Sequence, residues 1–296
     1  VTKGNARTAD VYEDEKKLNA VLAERRITLF MGYRVTDVAK KDNKITSVVA
    51  TDVMNHSRIR VSGRLFADCT DDANLGVLAG AEWSMGREAK SKYGEESAPE
   101  IADTMTMGAS LQWHCLEDSV ARPFPDIDWG LKLDEQSVQV VRRGQWYWEV
   151  GMRDDQIADA ERIRDYGMYV AYSNWAYLKN HYSKKCDYEN SYLGWVSHVA
   201  GKRESRRIMG EFVLREQDLK NNVIYPDGSA STSWYIDQHY PDPENSLRFP
   251  GQEYLSCGHL DPMGFYPIPY RCFYSKDIPN MFMAGRDISV SHIALG

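Results

Sequence analysis

The feature that most restricts the fold of this chain is a predicted helix followed by a β-meander and one further short strand, all within about the first 70 residues. Residues 9–23 contain good helix formers and no proline, and their apolar side chains fall near one face. Turn-forming pairs at Asp42-Asn43 and Asn55-His56 separate the strand patterns that follow. These patterns cover residues 27–30, 33–39, 45–53, 59–61 and 65–67. This order predicts a chain of the α/β class, α+β in part.

The character of the sequence changes after the last of these strands. Residues 68–72 are polar, and residues 73–79 form a helical pattern that stops at Gly80. The later patterns are a loop over residues 90–100, a helix over 155–179 and a strand over 280–284. Because 296 residues exceed the size of a typical single domain, we expect two packed lobes.

Composition argues against several classes of function. The net charge of −7 disfavours nucleic acid as a partner, because neutralising phosphates requires a basic face. There is no run of 18 apolar residues, so we expect no membrane span. Five scattered cysteines without the spacing of a zinc or redox motif predict buried free thiols and no metal site, and favour a reducing compartment such as the cytoplasm. The chain begins at Val1, so a preceding segment or targeting peptide is left open.

Three motifs occur in order along the chain. Residues 65–76 carry an apolar strand into Asp-Cys-Thr-Asp-Asp, and residues 201–207 read Gly-Lys-Arg-Glu-Ser-Arg-Arg. Residues 281–289 form a short strand followed by Ala-Gly-Arg-Asp. Together they resemble the FAD-dependent oxidoreductases: the first is similar to the family's strand-end motif, the second to the Gly-x-Arg-Glu-Ser-Arg-Arg signature of one branch, and the third to that branch's late flavin-contacting strand.

The resemblance implies a fold in which a Rossmann-like FAD-binding domain is interrupted by a substrate domain. Residues 1–82 would form a partial FAD-binding domain with its β-meander, residues 83–275 a mixed substrate domain, and residues 276–296 the return to the FAD-binding domain. The sequence has no Gly-x-Gly-x-x-Gly, the loop that lets backbone approach a pyrophosphate. The resemblance therefore implies that a segment carrying this loop precedes these residues and that a helix follows Gly296.

The same resemblance implies FAD as the cofactor. The cofactor-facing candidates are Thr70, Asp72, Gly285, Arg286 and Asp287. The first motif departs from the family at Asp71, where the family has glycine. Glycine permits positive φ and close approach of a cofactor, whereas aspartate adds a side chain and a negative charge near a pyrophosphate. We expect Asp71 to weaken FAD binding.

The arginine-rich motif supplies the substrate-side candidates. A flavin performs the redox step itself, so the protein must supply hydrogen-bond donors, a proton acceptor and an anion clamp. Arg203 or Arg206 is expected to hold an acidic or carbonyl group of the substrate, and Glu204 to orient the arginines or accept a proton. The competing interpretation, an internal network of salt bridges at a domain junction, stays open.

Two later segments add catalytic candidates. His259, in a predicted glycine- and proline-rich loop, is a candidate general base for oxidation of an alcohol, with a purely structural histidine as the alternative. Tyr270 and Arg271 match the family's residues before its final strand and are candidates for lining the active cavity.

These features predict an enzyme that oxidises a small organic molecule, a sugar derivative or hydroxy acid, by hydride transfer to FAD. Two alternatives stay open. One is a cofactor-free relic that still binds a ligand. The other is a subunit that completes its FAD site with another chain, and a homo-oligomer is left open in the same way.

Overall fold

The computed structural model of the chain describes residues 13–144, 146–261 and 263–296. Within these ranges the helices are α1 Asp14–Leu22, α2 Asn74–Ala79, α3 Lys90–Tyr93, α4 Ala160–Asn180, α5 Glu216–Lys220, α6 Pro243–Arg248 and α7 His292–Leu295. The long helix α4 confirms the prediction over residues 155–179, and α2 ends at Gly80 as expected, with φ of 74° at that glycine. The first residues of the helix predicted over 9–23 lie outside the described part.

Most strands form antiparallel pairs. The strands are β1 Tyr33–Lys41, β2 Lys44–Asp52, β3 Arg58–Ser62, β4 Phe66–Asp68, β5 Trp83–Ser84, β6 Ala109–Ser110, β7 Trp113–Glu117, β8 Glu149–Val150, β9 Ser191–Val196, β10 Arg207–Ile208, β11 Gly228–Thr232, β12 Ile236–Pro241, β13 Ser256–Asp261, β14 Tyr266–Pro269 and β15 Met281–Met283. β1, β2 and β3 form a three-stranded sheet, and the other pairs are β5–β10, β6–β8, β7–β9, β11–β14 and β12–β13. In the described residues, only β4 and β15 pair in parallel.

The β-meander is confirmed by the first three strands. Asp42 and Asn43 have φ of 50° and 59°, the left-handed conformation that a tight hairpin turn requires and that these two residue types tolerate. The strand predicted over residues 27–30 is wrong: these residues lie outside any ladder, and Phe30 is 49% exposed. An apolar run predicts a strand only when a neighbouring strand is available to pair with it.

Two apolar cores organise the chain. One joins β2, α2, β10, β15 and α7 through buried side chains such as Ile45, Leu75, Ile208, Met281 and Ile293. The other packs β6, β7 and β8 against α4 around three tryptophans. The ring of Trp113 lies 5.4 Å from that of Trp148 and 6.1 Å from that of Trp175, both edge to face, so these aromatic residues fill a core. Mixed helix and strand content supports the α/β class, while the boundaries at residues 82 and 275 stay a prediction.

The parallel pair β4–β15 places the first and third motifs side by side. The turn after β4 bends through Asp71 and Ala73, with φ of 60° and 56°. α2 then packs on β10: a Cβ added at Gly76 would lie 2.5 Å from Cδ1 of Ile208, so only glycine allows this approach. This contact brings the second motif, which runs into β10, against the first.

Three further outcomes concern the surface and the thiols. The loop predicted over residues 90–100 contains the short helix α3. All five cysteines are free. Cys272 is buried as predicted, Cys115 and Cys257 are only partly buried, and the prediction is wrong for the exposed Cys69 and Cys186. Within the described ranges, no helix is both long enough and apolar enough to cross a membrane.

Candidate functional site

The three sequence motifs converge on one region. It contains the loop after β4 (residues 68–74), the arginine-rich segment (residues 202–207) and the loop after β15 (residues 284–287). Hydrogen bonds connect all three: Arg286 donates to the backbone carbonyl of Lys202 and to the Asp71 carboxylate, and Ser205 donates to Asp72. These three segments form the motif junction.

Asp68 holds the first loop in shape. Its carboxylate is fully buried and accepts hydrogen bonds from the backbone N–H of Thr70 at 3.1 Å, the Thr70 hydroxyl at 2.6 Å and the backbone N–H of Gly76 at 2.9 Å. Thr70 Oγ1 in turn accepts from the N–H of Asn74 at 3.0 Å. A carboxylate satisfied by this many donors fixes the turn into α2. The Thr70 hydroxyl is used within this turn although the residue is exposed, and its predicted cofactor-facing role stays a prediction.

Asp71 forms an ion pair that the sequence did not indicate. Its Oδ2 lies 2.8 Å from Nη2 of Arg286, and its Oδ1 accepts from the backbone N–H of Arg286 at 3.0 Å. Partial burial acts to raise the pKa of Asp71, but the hydrogen bonds and charge of Arg286 outweigh it and lower the pKa. The negative charge expected at this position is thus compensated by Arg286, whose donors it occupies.

Asp72 ties the first motif to the second. Its carboxylate is paired with Lys202 and accepts from the Ser205 hydroxyl at 2.7 Å, and its backbone carbonyl accepts from Nε of Arg206 at 2.9 Å. The Arg206 guanidinium also donates to Asn74 Oδ1 and lies 5.6 Å from the ring of Trp83. Lys202 was not among the predicted site residues, although it lies inside the second motif.

Asp287 is the least satisfied group of the junction. Its side chain is fully buried, and neither carboxylate oxygen receives a hydrogen bond from a donor in the described residues. Burial, followed by the neighbouring charge of Asp68, raises the pKa of Asp287 to about 8. The raised pKa favours a protonated Asp287 near neutral pH, and a protonated carboxyl still has an oxygen that can accept a hydrogen bond.

This burial predicts a pH dependence of stability that Asp287→Asn removes. The folded pKa of about 8 exceeds the ordinary value of 3.8, so between these values the folded chain retains a proton that the unfolded chain releases. The free energy of unfolding therefore falls as pH rises from about 4 to about 8. Urea unfolding at pH 5 and pH 8.5 measures the effect. An asparagine variant that keeps the wild-type slope would rule Asp287 out as its source.

Two further residues of the arginine-rich motif, Glu204 and Arg207, belong to a buried network. Arg207 and Glu204 are fully buried and paired, and Arg207 Nη2 lies 2.8 Å from Oε1 of Glu88. His292 Nδ1 lies 2.9 Å from Glu204, while His292 Nε2 is buried without a partner in the described residues. The network interpretation of Glu204 thus has direct geometric support. Glu88 and His292 lie more than 80 residues from Glu204, and no local pattern marked either of them.

Arg203 lies in a second buried group. It is paired with the fully buried Glu149, whose Oε1 also lies 2.7 Å from Nδ1 of His239. Arg203 Nη2 donates to the backbone carbonyl of Trp146 at 3.2 Å. Its guanidinium is thus held within the protein, and the substrate-clamp role stays a prediction.

The later candidates make their contacts elsewhere. Tyr270 is 46% exposed, and the Arg271 guanidinium pairs with Asp227 at 2.9 Å and covers the ring of Phe212 at 5.0 Å. The loop predicted around His259 is wrong: its backbone belongs to β13, opposite Gln238. The His259 side chain lies outside the described part. In the described residues, no group of three or more His, Cys, Asp or Glu is placed to hold a metal ion.

Comparison with known proteins identifies the class and then the family. The model of the family described as FAD dependent oxidoreductase matches residues 4–296, so the chain is by class an oxidoreductase. More particularly, because the match covers nearly all of its length, the chain belongs to the FAD dependent oxidoreductase family, which confirms the resemblance of the three motifs. No curated protein and no solved structure matches the chain.

Proposed function

We propose that the motif junction faces FAD and that the protein passes a hydride from a small organic substrate, a sugar derivative or hydroxy acid, to that cofactor. The observation that carries this proposal is Asp287, a fully buried carboxyl with no donor partner, in the loop next to Arg286. Buried polar groups are almost always hydrogen-bonded, and the hydroxyl groups of a flavin side chain are donors of the required kind. When bound, FAD supplies the hydride acceptor.

The residues of the junction fit such a ligand in distinct ways. Arg286 is a cation suited to a pyrophosphate. Gly285 has φ of 115° and no side chain, which leaves the backbone accessible. Thr70 and Asp72 act through the shape of the loop, since the side chains of both are bonded to other residues of the chain. In this assignment residues 1–82 and 276–296 form the FAD-binding domain.

On the substrate side, we assign residues 83–275 as the substrate domain. Arg206 is only partly buried and remains the candidate for contact with substrate. The fully buried Glu204 is assigned an orienting role through Arg207 and His292. Arg203, Tyr270, Arg271 and His259 keep their predicted substrate-side roles as secondary candidates.

The first test is the visible absorption spectrum of the purified chain, followed by titration with FAD. We expect flavin bands that survive gel filtration, or saturable uptake of added FAD. Arg286→Gln is expected to weaken uptake about tenfold or more, because it removes a charge-assisted contact to an anion. Arg271→Gln removes the same charge from a residue paired with Asp227 and is the matched control. A colourless wild type without uptake would contradict the proposal.

A second candidate function is a cofactor-free protein that still binds a small ligand. The Asp71–Arg286 ion pair favours it, because Asp71 occupies donors that a bound anion would need. This candidate predicts ligand binding without FAD uptake. Uptake of FAD by the wild-type chain would remove it.

A further inference from the structure

A cleft of about 210 Å³ opens between helix α4 and residues 198–202. Its walls include Gln156, Ile163, Arg164, His198, Val199 and Lys202. Lys202 also forms the ion pair with Asp72, so the cleft adjoins the motif junction. Its volume lies below the range usual for drug-sized ligands, which favours an occupant of only a few heavy atoms.

The charged part of the wall retains free hydrogen-bond donors. The Lys202 ammonium has three donors and its described contact is with Asp72. The Arg164 guanidinium has five and uses some of them on Glu161 and Asp165. Lys202 is paired with Asp72, and Arg164 with Glu161 and Asp165. A ligand carboxylate would therefore bind through the donors that these pairs leave over.

The charge of Lys202 also affects the pKa of a carboxylate near this wall. Hydrogen bonds from the backbone N–H groups of Ala158 and Ile157 lower the pKa of Asp155, and the charges of Arg206 and Lys202 lower it further, against the effect of burial. Asp155 directly precedes Gln156 in the chain. An anionic group of a ligand would experience this field in the same sense.

Gln156 sets a second, independent requirement for a ligand of the cleft, which is a hydrogen-bond donor. Its side chain is fully buried, and Nε2 donates to the carbonyl of Gly151 at 2.6 Å. This bond fixes which end of the amide is the donor, and Oε1 is left buried without a partner in the described residues. A buried acceptor of this kind calls for a donor, such as a hydroxyl group. Apolar residues of the wall, including Ile163 and Val199, suit a short alkyl chain.

We infer that this cleft binds a small 2-hydroxy acid, with the carboxylate against Arg164 and Lys202 and the hydroxyl group donating to Gln156. The assignment of this ligand as the substrate rests on the proposed function, whereas its binding does not. A plain carboxylate lacks the hydroxyl group for Gln156, and a diol lacks the carboxylate for Arg164 and Lys202. The site is distinct from Arg203 and Glu204, which do not line the cleft.

Binding is tested on the wild-type chain without added FAD, by chemical-shift changes in the presence of three matched probes. The probes are 2-hydroxybutanoate, butanoate and butane-1,2-diol, which carry both groups, the carboxylate alone and the hydroxyl alone. We expect 2-hydroxybutanoate to bind at least about fivefold more tightly than either of the others, from one added hydrogen bond. Equal affinities for the two acids, or no binding of any probe, would overturn the assignment.

Variants then locate the site. Arg164→Gln is expected to weaken both acids about equally, whereas Gln156→Met is expected to weaken 2-hydroxybutanoate to the level of butanoate. Arg162→Gln, two residues away on the same helix and paired with Asp154, is the control and should change neither affinity. If Gln156→Met does not fold, the affinities of the three probes for the wild type and for Arg164→Gln still test the assignment of the cleft. Loss of affinity in Arg162→Gln equal to that in Arg164→Gln would place the binding elsewhere.

The flavin proposal and the cleft proposal can be contradicted independently of each other. Tight binding of 2-hydroxybutanoate by a chain that takes up no FAD would contradict the flavin assignment and leave the cleft intact. FAD uptake with no preference for 2-hydroxybutanoate would contradict the cleft assignment and leave the flavin assignment intact.

Discussion

Replacement of Arg207 by methionine is expected to lower the free energy of unfolding by about 3–5 kcal/mol, the cost of removing one partner from a buried ion pair. Arg207 is fully buried, and its guanidinium contacts Glu204, Glu88 and the carbonyl of Gly86. Methionine fills a similar volume but leaves two buried carboxylates without a cation. Urea unfolding at pH 7, followed by far-ultraviolet circular dichroism, measures the loss.

The adjacent arginine provides the control. Arg206→Met removes the same charge from a partly buried residue that donates to Asp72 and Asn74, and we expect a loss of about 1–2 kcal/mol. If the two variants lose the same amount, burial of the Arg207 pair does not govern its contribution.

The loss in Arg207→Met should also depend on pH. Burial acts to raise the pKa of Glu88, but in the wild type the charge of Arg207 together with hydrogen bonds from His292 and Arg207 outweighs it and lowers the pKa. Without Arg207 the hydrogen bond from the His292 backbone N–H remains, but the main effect opposing burial is lost. The pKa of Glu88 is therefore expected to rise, so that the folded variant retains a proton there and its stability falls as pH rises. The difference from wild type is therefore expected to be smaller at pH 4.5 than at pH 7. A difference independent of pH would point to packing and not to the uncompensated carboxylates.

The sequence predicted those features that depend on neighbouring residues. Turn chemistry at Asp42-Asn43 located the meander, and Gly80 marked the end of α2 because a left-handed residue is needed there. The order of the three motifs identified the family. Each of these signals lies within a few residues of the structure that it specifies.

Features that depend on distant residues were not predictable from local patterns. The ion pair between Asp71 and Arg286 joins residues 215 positions apart, and the contact of Glu204 with His292 spans 88. The strand containing His259 forms because β12 lies beside it, and its glycine and proline neighbours indicated a loop instead. Tertiary pairing overrides such local preferences.

Asp71→Gly is expected to tighten FAD binding about tenfold or more, or to create measurable binding where the wild type has none. The substitution frees the backbone N–H and the guanidinium of Arg286, each of which now donates to the Asp71 carboxylate. Charge-assisted hydrogen bonds to a pyrophosphate account for a gain of this size. The φ of 60° at this position is one that glycine adopts without strain, so the turn should remain intact.

Asp71→Asn separates charge from shape, since asparagine keeps the size of the side chain and tolerates the left-handed conformation. A gain in both variants assigns the effect to the charge. A gain in Asp71→Gly alone assigns it to space, which agrees with the position of Asp71 Oδ1, 2.1 Å from where a Cβ on Gly285 would lie. Fluorescence titration with FAD distinguishes these outcomes. If neither variant binds more tightly than wild type, Asp71 does not limit access of FAD to Arg286.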